Sequence, residues 1–129
     1  MKSYTNWTPV KSVIDATTKR PTYKEGDVFW LAVGENIGFE QDGKGRMFAR
    51  PVLIVSGFSK EVFWGLSLTS QNKQGRYYRS FTLNNGIAST AILSQLRAYD
   101  SKRIVNTKKL GRVSQATLLD IKNRLKALL

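Results

Sequence analysis

Two polar sites border apolar runs of this chain, and their residue types are suited to binding a phosphate group. Arg50 stands directly before Pro51, which opens an apolar run and biases the backbone at Arg50 toward an extended conformation. An arginine fixed at a strand start can bind a phosphate through two parallel N–H donors. Thr69 and Ser70 end the next apolar run, where adjacent hydroxyls can hydrogen-bond the same ligand. Each site also has a plainer interpretation, as a flanking surface arginine and as a hydroxyl pair that turns the chain.

A third segment mixes guanidinium groups with aromatic rings. Arg76, Tyr77, Tyr78 and Arg79 follow one another directly. Proteins that bind single-stranded nucleic acids use guanidinium groups for phosphates and ring faces for unpaired bases. The same pattern also fits a strand with one tyrosine in the core and its arginines in water.

A glycine-rich segment, 34–46, carries Glu40 and leads toward Arg50. It resembles a phosphate-binding loop only superficially, because no Ser or Thr follows Lys44 and no helical pattern comes after it. The remaining interpretations are a flexible surface loop and an active-site loop that presents Glu40.

The composition restricts the chemistry further. The 129 residues include no cysteine and no histidine, so thiolate chemistry is excluded and the commonest general base and metal ligand are missing. We therefore expect no metal site and no cofactor. Lys and Arg total 21 against 9 acidic residues, a net charge of +12, which favours a polyanionic partner such as RNA, DNA or an acidic peptide. Residues 97–129 alone hold nine basic residues against two acidic ones.

The elements that must position these groups are mainly strands. Apolar periodicity predicts five short strands, at 27–33, 51–56, 62–69, 77–83 and 87–93. Asn84-Asn85-Gly86 is typical of a tight hairpin turn between the last two. Short strands with short turns favour a closed or partly closed antiparallel barrel. Arg97, Asp100, Lys102 and Arg103 would then follow the last strand, as a phosphate-binding rim or as internal ion pairs.

Helical patterns occur at both ends of the chain. Thr8 and Pro9 begin a predicted short helix that reaches about Ala16. Near the carboxyl end, Ser114 can cap a helix with a buried stripe of leucine and isoleucine, while Lys122, Asn123 and Lys126 face water. We expect an amino-terminal extension, 1–25, and one domain, 26–129. No apolar run is long enough to span a bilayer, and residues 1–11 lack the core of a secretory signal, so we expect a cytoplasmic protein.

The order of the motifs resembles the MazF/PemK family of toxins from bacterial toxin–antitoxin pairs. The similarity covers roughly residues 26–129. Its motifs are Gly26-Asp27-Val28, the loop 34–41, Arg50-Pro51 with its apolar run, Leu68-Thr69-Ser70, Ser94-Gln95-Leu96-Arg97, 100–103 and Gly111.

The resemblance implies an α+β fold, mainly β: a small SH3-like antiparallel barrel of the CcdB/MazF type with a carboxy-terminal amphipathic helix. It implies a homodimer that cleaves single-stranded RNA at a short sequence without metal, neutralised by an antitoxin whose acidic, disordered tail covers the RNA groove. It assigns the centre of the active site to Arg50 and Thr69, and gives Glu40 a role in some members. Ser70 is expected to assist. RNA contacts are expected from Arg76, Tyr77, Tyr78, Arg79, Gln95 and Arg97.

Three departures from the family pattern concern the site. The segment from Glu40 to Arg50 is longer than in the shortest members, Ser67-Leu68 replaces the usual proline before Thr69-Ser70, and Ile92 and Ser94 stand where one branch uses an arginine and an aspartate. Two other hypotheses stay open: a CcdB-like barrel that poisons gyrase without being an enzyme, and a barrel that binds nucleic acid without cleaving it.

Overall fold

A computed structural model describes residues 21–32 and 49–129 of the chain. This part folds into one antiparallel sheet and one helix. The elements are β1 (Asp27–Ala32), β2 (Ala49–Gly57), β3 (Val62–Thr69), β4 (Tyr78–Thr82), β5 (Ala88–Asp100), a 3-10 turn (Ser101–Arg103), β6 (Gly111–Arg112) and α1 (Gln115–Leu128). The predicted helix from Thr8 to about Ala16 and the loop that carries Glu40 lie outside the described residues.

The six strands form a single sheet in the order β4-β5-β3-β2-β1-β6. Neighbouring strands of this sheet pair antiparallel, and β3 lies between β2 and β5. The two apolar runs that the sequence marks as bordering polar sites are therefore hydrogen-bonded neighbours. The mainly β fold with a carboxy-terminal helix is confirmed.

Each face of the sheet carries its own apolar cluster, because side chains alternate between the two faces along a strand. Leu53 and Val55 of β2 belong to the larger cluster, which packs against Ile121 and Leu125 of α1. Val52 and Ile54 belong to a smaller cluster on the other face, together with Phe63 and other buried residues. The almost continuous apolar run of β2 is thus explained by burial on both sides.

The prediction that the last strand ends at residue 93 was wrong, since β5 continues to Asp100. Leu68 pairs with Ala91 but Leu66 pairs with Leu96, so the register shifts and extra residues bulge out of β5. Arg97 and Asp100 consequently lie inside the strand rather than after it. A bulge of this size interrupts the alternation of side chains that single-sequence reasoning follows.

The connections near the end of the sheet are set by backbone geometry. Gly86 has a φ of +91°, and its N–H donates to the carbonyl of Leu83, as the predicted hairpin turn requires. The two-residue β6 was not predicted. It is held against β1 by Asp27, whose buried carboxylate accepts hydrogen bonds from Arg112 and from Lys109, the latter at 3.3 Å.

Helix α1 begins as predicted, because the Ser114 hydroxyl accepts a hydrogen bond from the Thr117 N–H at 3.1 Å. Ile121 and Leu125 are buried in the middle of its apolar stripe. Lys122 does not simply face water: it is half-buried and forms an ion pair with Glu25 at 2.9 Å. Within the described ranges, no helix is long and apolar enough to cross a membrane.

Candidate active site

A row of four polar side chains crosses four adjacent strands. Thr69 of β3 pairs with Thr90 of β5, and Thr90 pairs with Ser80 of β4. On the other side of β3, the hydrogen-bonded ladder to β2 ends at Val52 opposite Ser67. The same register continued by two residues on each strand places Arg50 opposite Thr69. We call these four residues the cross-strand row.

The members of the cross-strand row lie on the same face of the sheet, because directly paired residues point the same way. Neighbouring strands are roughly 4.8 Å apart, so Arg50 and Thr69 are separated by about one strand spacing. Arg50 and Ser80 are exposed, Thr69 is half-buried and Thr90 is buried. The sheet therefore delivers a guanidinium and a hydroxyl to one accessible surface, close enough to contact one phosphate.

Arg50 is held by the strand on which it lies. Its backbone pairs with Leu31 of β1, which is fully buried, so the start of β2 is fixed against the sheet. Within residues 21–32 and 49–129, no acidic side chain forms an ion pair with Arg50. Among these residues, no carboxylate competes with an anionic ligand for its planar donors.

Thr69 is oriented by the turn that follows β3. Its hydroxyl oxygen accepts a hydrogen bond from the Gln71 N–H at 3.2 Å, which leaves the hydroxyl proton for another acceptor. Ser70 is exposed and borders a cleft of about 400 Å³ between this turn and the β4–β5 hairpin. The two hydroxyls are adjacent in sequence, but the Thr69 hydroxyl is bonded within the turn and Ser70 borders the cleft.

Sequence reasoning missed two members of the cross-strand row, Ser80 and Thr90. The oxygens Ser80 Oγ and Thr90 Oγ1 lie 2.8 Å apart, and Ser80 also donates to Asn72 Oδ1 at 3.4 Å. Ser80 and Thr90 are ten residues apart and read as ordinary strand residues. Only the pairing of β4 with β5 brings them together, so no motif could have identified them.

The aromatic segment lies beside the row. Tyr78 is two residues from Ser80 on β4 and so shares its face, and the Lys73 ammonium lies 5.9 Å from the Tyr78 ring centroid. Tyr77 is 46% exposed, with the Arg76 guanidinium 5.6 Å from its ring centroid. Neither tyrosine enters the core, so the interpretation that one of them is a core residue was wrong.

Arg79 is separated from the row. It alternates with Ser80 to the opposite face of the sheet, where its Nε lies 2.6 Å from Asp120 Oδ2 on α1. Arg124 contacts the same carboxylate oxygen at 2.8 Å. The structure thus places Arg79 in the attachment of the helix to β4.

The Asp120 carboxylate makes this attachment sensitive to acid. Its pKa lies below the ordinary value of 3.8, mainly because it accepts a hydrogen bond from Arg79. A carboxyl whose pKa falls on folding stabilises the folded state above the unfolded pKa, and this contribution is lost as pH drops through the folded value. We expect Asp120→Asn to lower the urea midpoint at pH 7, with a gap to wild type that closes as the pH falls through and below the ordinary carboxyl range. A gap that stays constant on acidification would contradict this.

The remaining predicted RNA contacts lie farther along the sheet. Arg97 pairs with Gly65 of β3, four residues or roughly 13 Å from Thr69, and its guanidinium lies 5.1 Å from the Tyr99 ring centroid. Gln95 is exposed in the irregular part of β5. Residues 100–103 make internal contacts: Asp100 accepts a hydrogen bond from the Lys102 N–H at 2.8 Å, and Arg103 donates to the Ala32 carbonyl at 3.2 Å.

Two further features bear on what the site can bind. Among the residues that the structure describes, no three side chains of metal-binding type come together. A larger cavity of about 850 Å³ lies between residues 21–25 and 57–60, at the end of β2 away from Arg50. It receives no side chain from the cross-strand row, so the chemistry we consider belongs to the smaller cleft and its surroundings.

Comparison with known proteins agrees with this architecture. The chain is similar in structure to a MazE–MazF complex (Form-II) from Deinococcus radiodurans, with a TM-score of 0.65, 17% identity, and coverage of 86% of this chain and 96% of that one. It is equally similar to MazF (Form-I) from the same organism, with a TM-score of 0.65, 17% identity, and coverage of 83% and 96%.

No curated protein sequence matches the chain significantly. A family model described as PemK-like, MazF-like toxin of type II toxin–antitoxin system matches residues 24–129. This match covers both strands that carry Arg50 and Thr69, the cleft beside them, and the carboxy-terminal helix. The chain therefore belongs to the PemK-like, MazF-like toxins of type II toxin–antitoxin systems.

Proposed function

We propose that this toxin is a sequence-specific, metal-independent endoribonuclease that cleaves single-stranded RNA. The observation that carries the proposal is the position of Arg50 and Thr69 on one accessible face of adjacent strands. A guanidinium and a hydroxyl one strand spacing apart can bind two oxygens of the same phosphate.

The proposed reaction is an internal displacement within the RNA. The ribose 2′-oxygen loses its proton and forms a bond to the adjacent phosphorus, while the bond from phosphorus to the 5′-oxygen breaks. The 5′-oxygen takes up a proton, so the products end in a 2′,3′-cyclic phosphate and a free 5′-hydroxyl. DNA lacks the 2′-hydroxyl and is spared. The enzyme must supply a base, an acid and positive charge for the phosphorane.

The side chains divide these tasks by their chemistry. Arg50 stabilises the charge that develops on the phosphorane, because its guanidinium stays protonated. Thr69 orients the phosphate through the hydroxyl proton that its turn leaves available, and Ser70 assists from the cleft side. Glu40 is our candidate for the base, from outside the described residues.

RNA binding is assigned to the surface around the row. Tyr77 and Tyr78 offer ring faces to unpaired bases, while Arg76, Arg97 and Gln95 supply donors along the strand. Arg79 no longer belongs to this set, since its guanidinium is bound to Asp120 on the other face.

The partners follow from charge and from the family. We propose a cognate antitoxin with an acidic, disordered tail, since a net charge of +12 favours such a segment and similar structures include MazE–MazF complexes. We also propose a homodimer, acting in the cytoplasm. An acidic tail lying over the Arg50 face would compete with RNA for the same donors.

The deciding experiment uses RNA oligonucleotides and the purified chain in excess EDTA. We expect cleavage to persist without divalent ions, and to stop when a single 2′-deoxynucleotide stands on the 5′ side of the scissile phosphate, because no attacking group remains. Mass spectrometry of the fragments should show the cyclic phosphate. Equal cleavage of the deoxy-substituted strand, or a strict magnesium requirement, would rule out this mechanism.

Two other functions predict different outcomes when the same purified protein is assayed. A CcdB-like gyrase poison would inhibit supercoiling by gyrase and leave RNA intact. A barrel that only binds nucleic acid would retain RNA in a gel shift without producing fragments. The exposed Arg50 beside Thr69 on one face of the sheet favours the nuclease over both.

A further inference from the structure

The cleft beside Ser70 contains a directed chain of hydrogen bonds. Ser80 donates its only hydroxyl proton to Asn72 Oδ1 at 3.4 Å. The contact of 2.8 Å between Ser80 and Thr90 must then use the Thr90 proton, since each hydroxyl carries a single one. Thr90 is buried, so the chain starts from a fixed position inside the sheet.

This chain determines how Asn72 presents its amide. Because Oδ1 accepts from Ser80, the Nδ2 group, with its two N–H donors, is directed away from that bond. Asn72 is exposed, and among described residues its Nδ2 has no acceptor. The Asn72 amide therefore carries two oriented donors at this cleft that no described residue uses.

The character of the cleft indicates which part of a nucleotide it receives. None of the eight described residues that line it carries a charge. Its polar groups are hydroxyls and one amide, from Ser70, Asn72, Ser80, Thr82, Ser89 and Thr90. Among these residues a phosphate would find no cation, whereas the edge of a base would find hydrogen-bonding partners. A volume of about 400 Å³ is at the small end of ligand sites, which run from roughly 300 to 1,000 Å³.

The position of the cleft relates it to the scissile phosphate. Thr90 borders the cleft and pairs directly with Thr69, so the two are one strand spacing apart, roughly 4.8 Å. Ser70 belongs to the cleft and follows Thr69 in sequence. A phosphate bound by Thr69 and Arg50 would thus have its neighbouring nucleotide within reach of the cleft.

We propose that this cleft is a base-reading subsite, in which the Asn72 amide donates to a ring nitrogen or carbonyl oxygen of the base next to the scissile phosphate. Ser80 is a positioning residue, which acts by holding the Asn72 amide in one orientation. The inference rests on the proposed nuclease function and adds to it one determinant of sequence preference.

The test replaces the Nδ2 group of Asn72, which donates, by a carboxylate oxygen, which accepts. Asn72→Asp keeps the shape of the side chain but exchanges the two donors for an acceptor. The matched control is Asn123→Asp, the same change on the exposed side of α1. Both are incubated with a randomised single-stranded RNA, and the fragment ends are sequenced. We expect Asn72→Asp to reduce the preference for its base about tenfold at one position, and Asn123→Asp to keep the wild-type profile.

A second variant separates positioning from contact. Ser80→Ala leaves Asn72 in place but removes the bond that fixes its amide, so we expect the preference at the same position to weaken and no other position to change. Wild-type base frequencies at every position for Asn72→Asp would overturn the subsite. If the wild-type chain cleaves no RNA, the proposed function fails. The variants are then compared for binding of a short single-stranded RNA, where equal affinity of Asn72→Asp and Asn123→Asp overturns the subsite.

Discussion

Arg50→Ala should reduce RNA cleavage by about 10²–10³-fold while the protein stays folded. The size follows from removing one preorganised donor group for the developing negative charge. The fold should tolerate the change, because the Arg50 side chain is exposed and pairs with no described acidic residue. The rate is measured under single-turnover conditions in EDTA, and folding by circular dichroism and thermal melting.

Two companion variants show whether geometry or charge is responsible. Arg50→Lys keeps the charge but loses the planar pair of donors, so we expect it to recover only part of the lost rate. Arg124→Ala removes the same charge from α1, where Arg79 still holds Asp120, and should cleave normally. Near-normal cleavage by Arg50→Ala would remove Arg50 from the active site.

Gly65→Ala should destabilise the fold more than its size suggests. A Cβ at this position would lie 2.6 Å from Val52 Cγ1 and 3.0 Å from Tyr99 Cδ2. Both neighbours are buried in the smaller apolar cluster and have little room to move. Forcing one methyl group into such a core costs about 1–3 kcal/mol. We expect Tm to fall by roughly 4–15 °C, as measured by calorimetry.

Gly57→Ala provides the matched comparison. The three atoms nearest to its added Cβ all belong to the outer part of the Tyr23 ring, the closest at 3.1 Å, and Tyr23 is half-buried rather than enclosed in the core. The loss of stability should be clearly smaller than at Gly65. A wild-type Tm for Gly65→Ala would show that the smaller cluster repacks freely, and that the close approach of β2, β3 and β5 is not required.

The bounds of helices and strands were predicted well from the sequence where a single local pattern determines them. The bounds of β3 agree with the apolar run, and Ser114 caps α1 as its type and position indicate. β5 was predicted too short, because its bulge between Ala91 and Leu96 breaks the alternation that marks a strand. β6 was missed, since two residues are too few to show any period.

The residues of the site likewise differ in whether a local pattern or a distant contact sets their position. Arg50 and Thr69 carry local signals, namely a following proline and the end of an apolar run. Arg79 carried an equally suggestive local signal, yet its guanidinium contacts Asp120, which lies 41 residues away along the chain. A basic residue among tyrosines looks the same in sequence whichever face of the strand it occupies.

By itself, the sequence determined the strand-rich character, the positive charge, the absence of histidine and cysteine chemistry, and the resemblance carried by short motifs. The tertiary structure decided which polar residues share a surface. Strand order and register place Thr90 and Ser80 in line with Thr69, and the same alternation turns Arg79 away from them. The physical reason is that local patterns fix what a segment forms. Only the pairing of distant strands fixes which side chains meet.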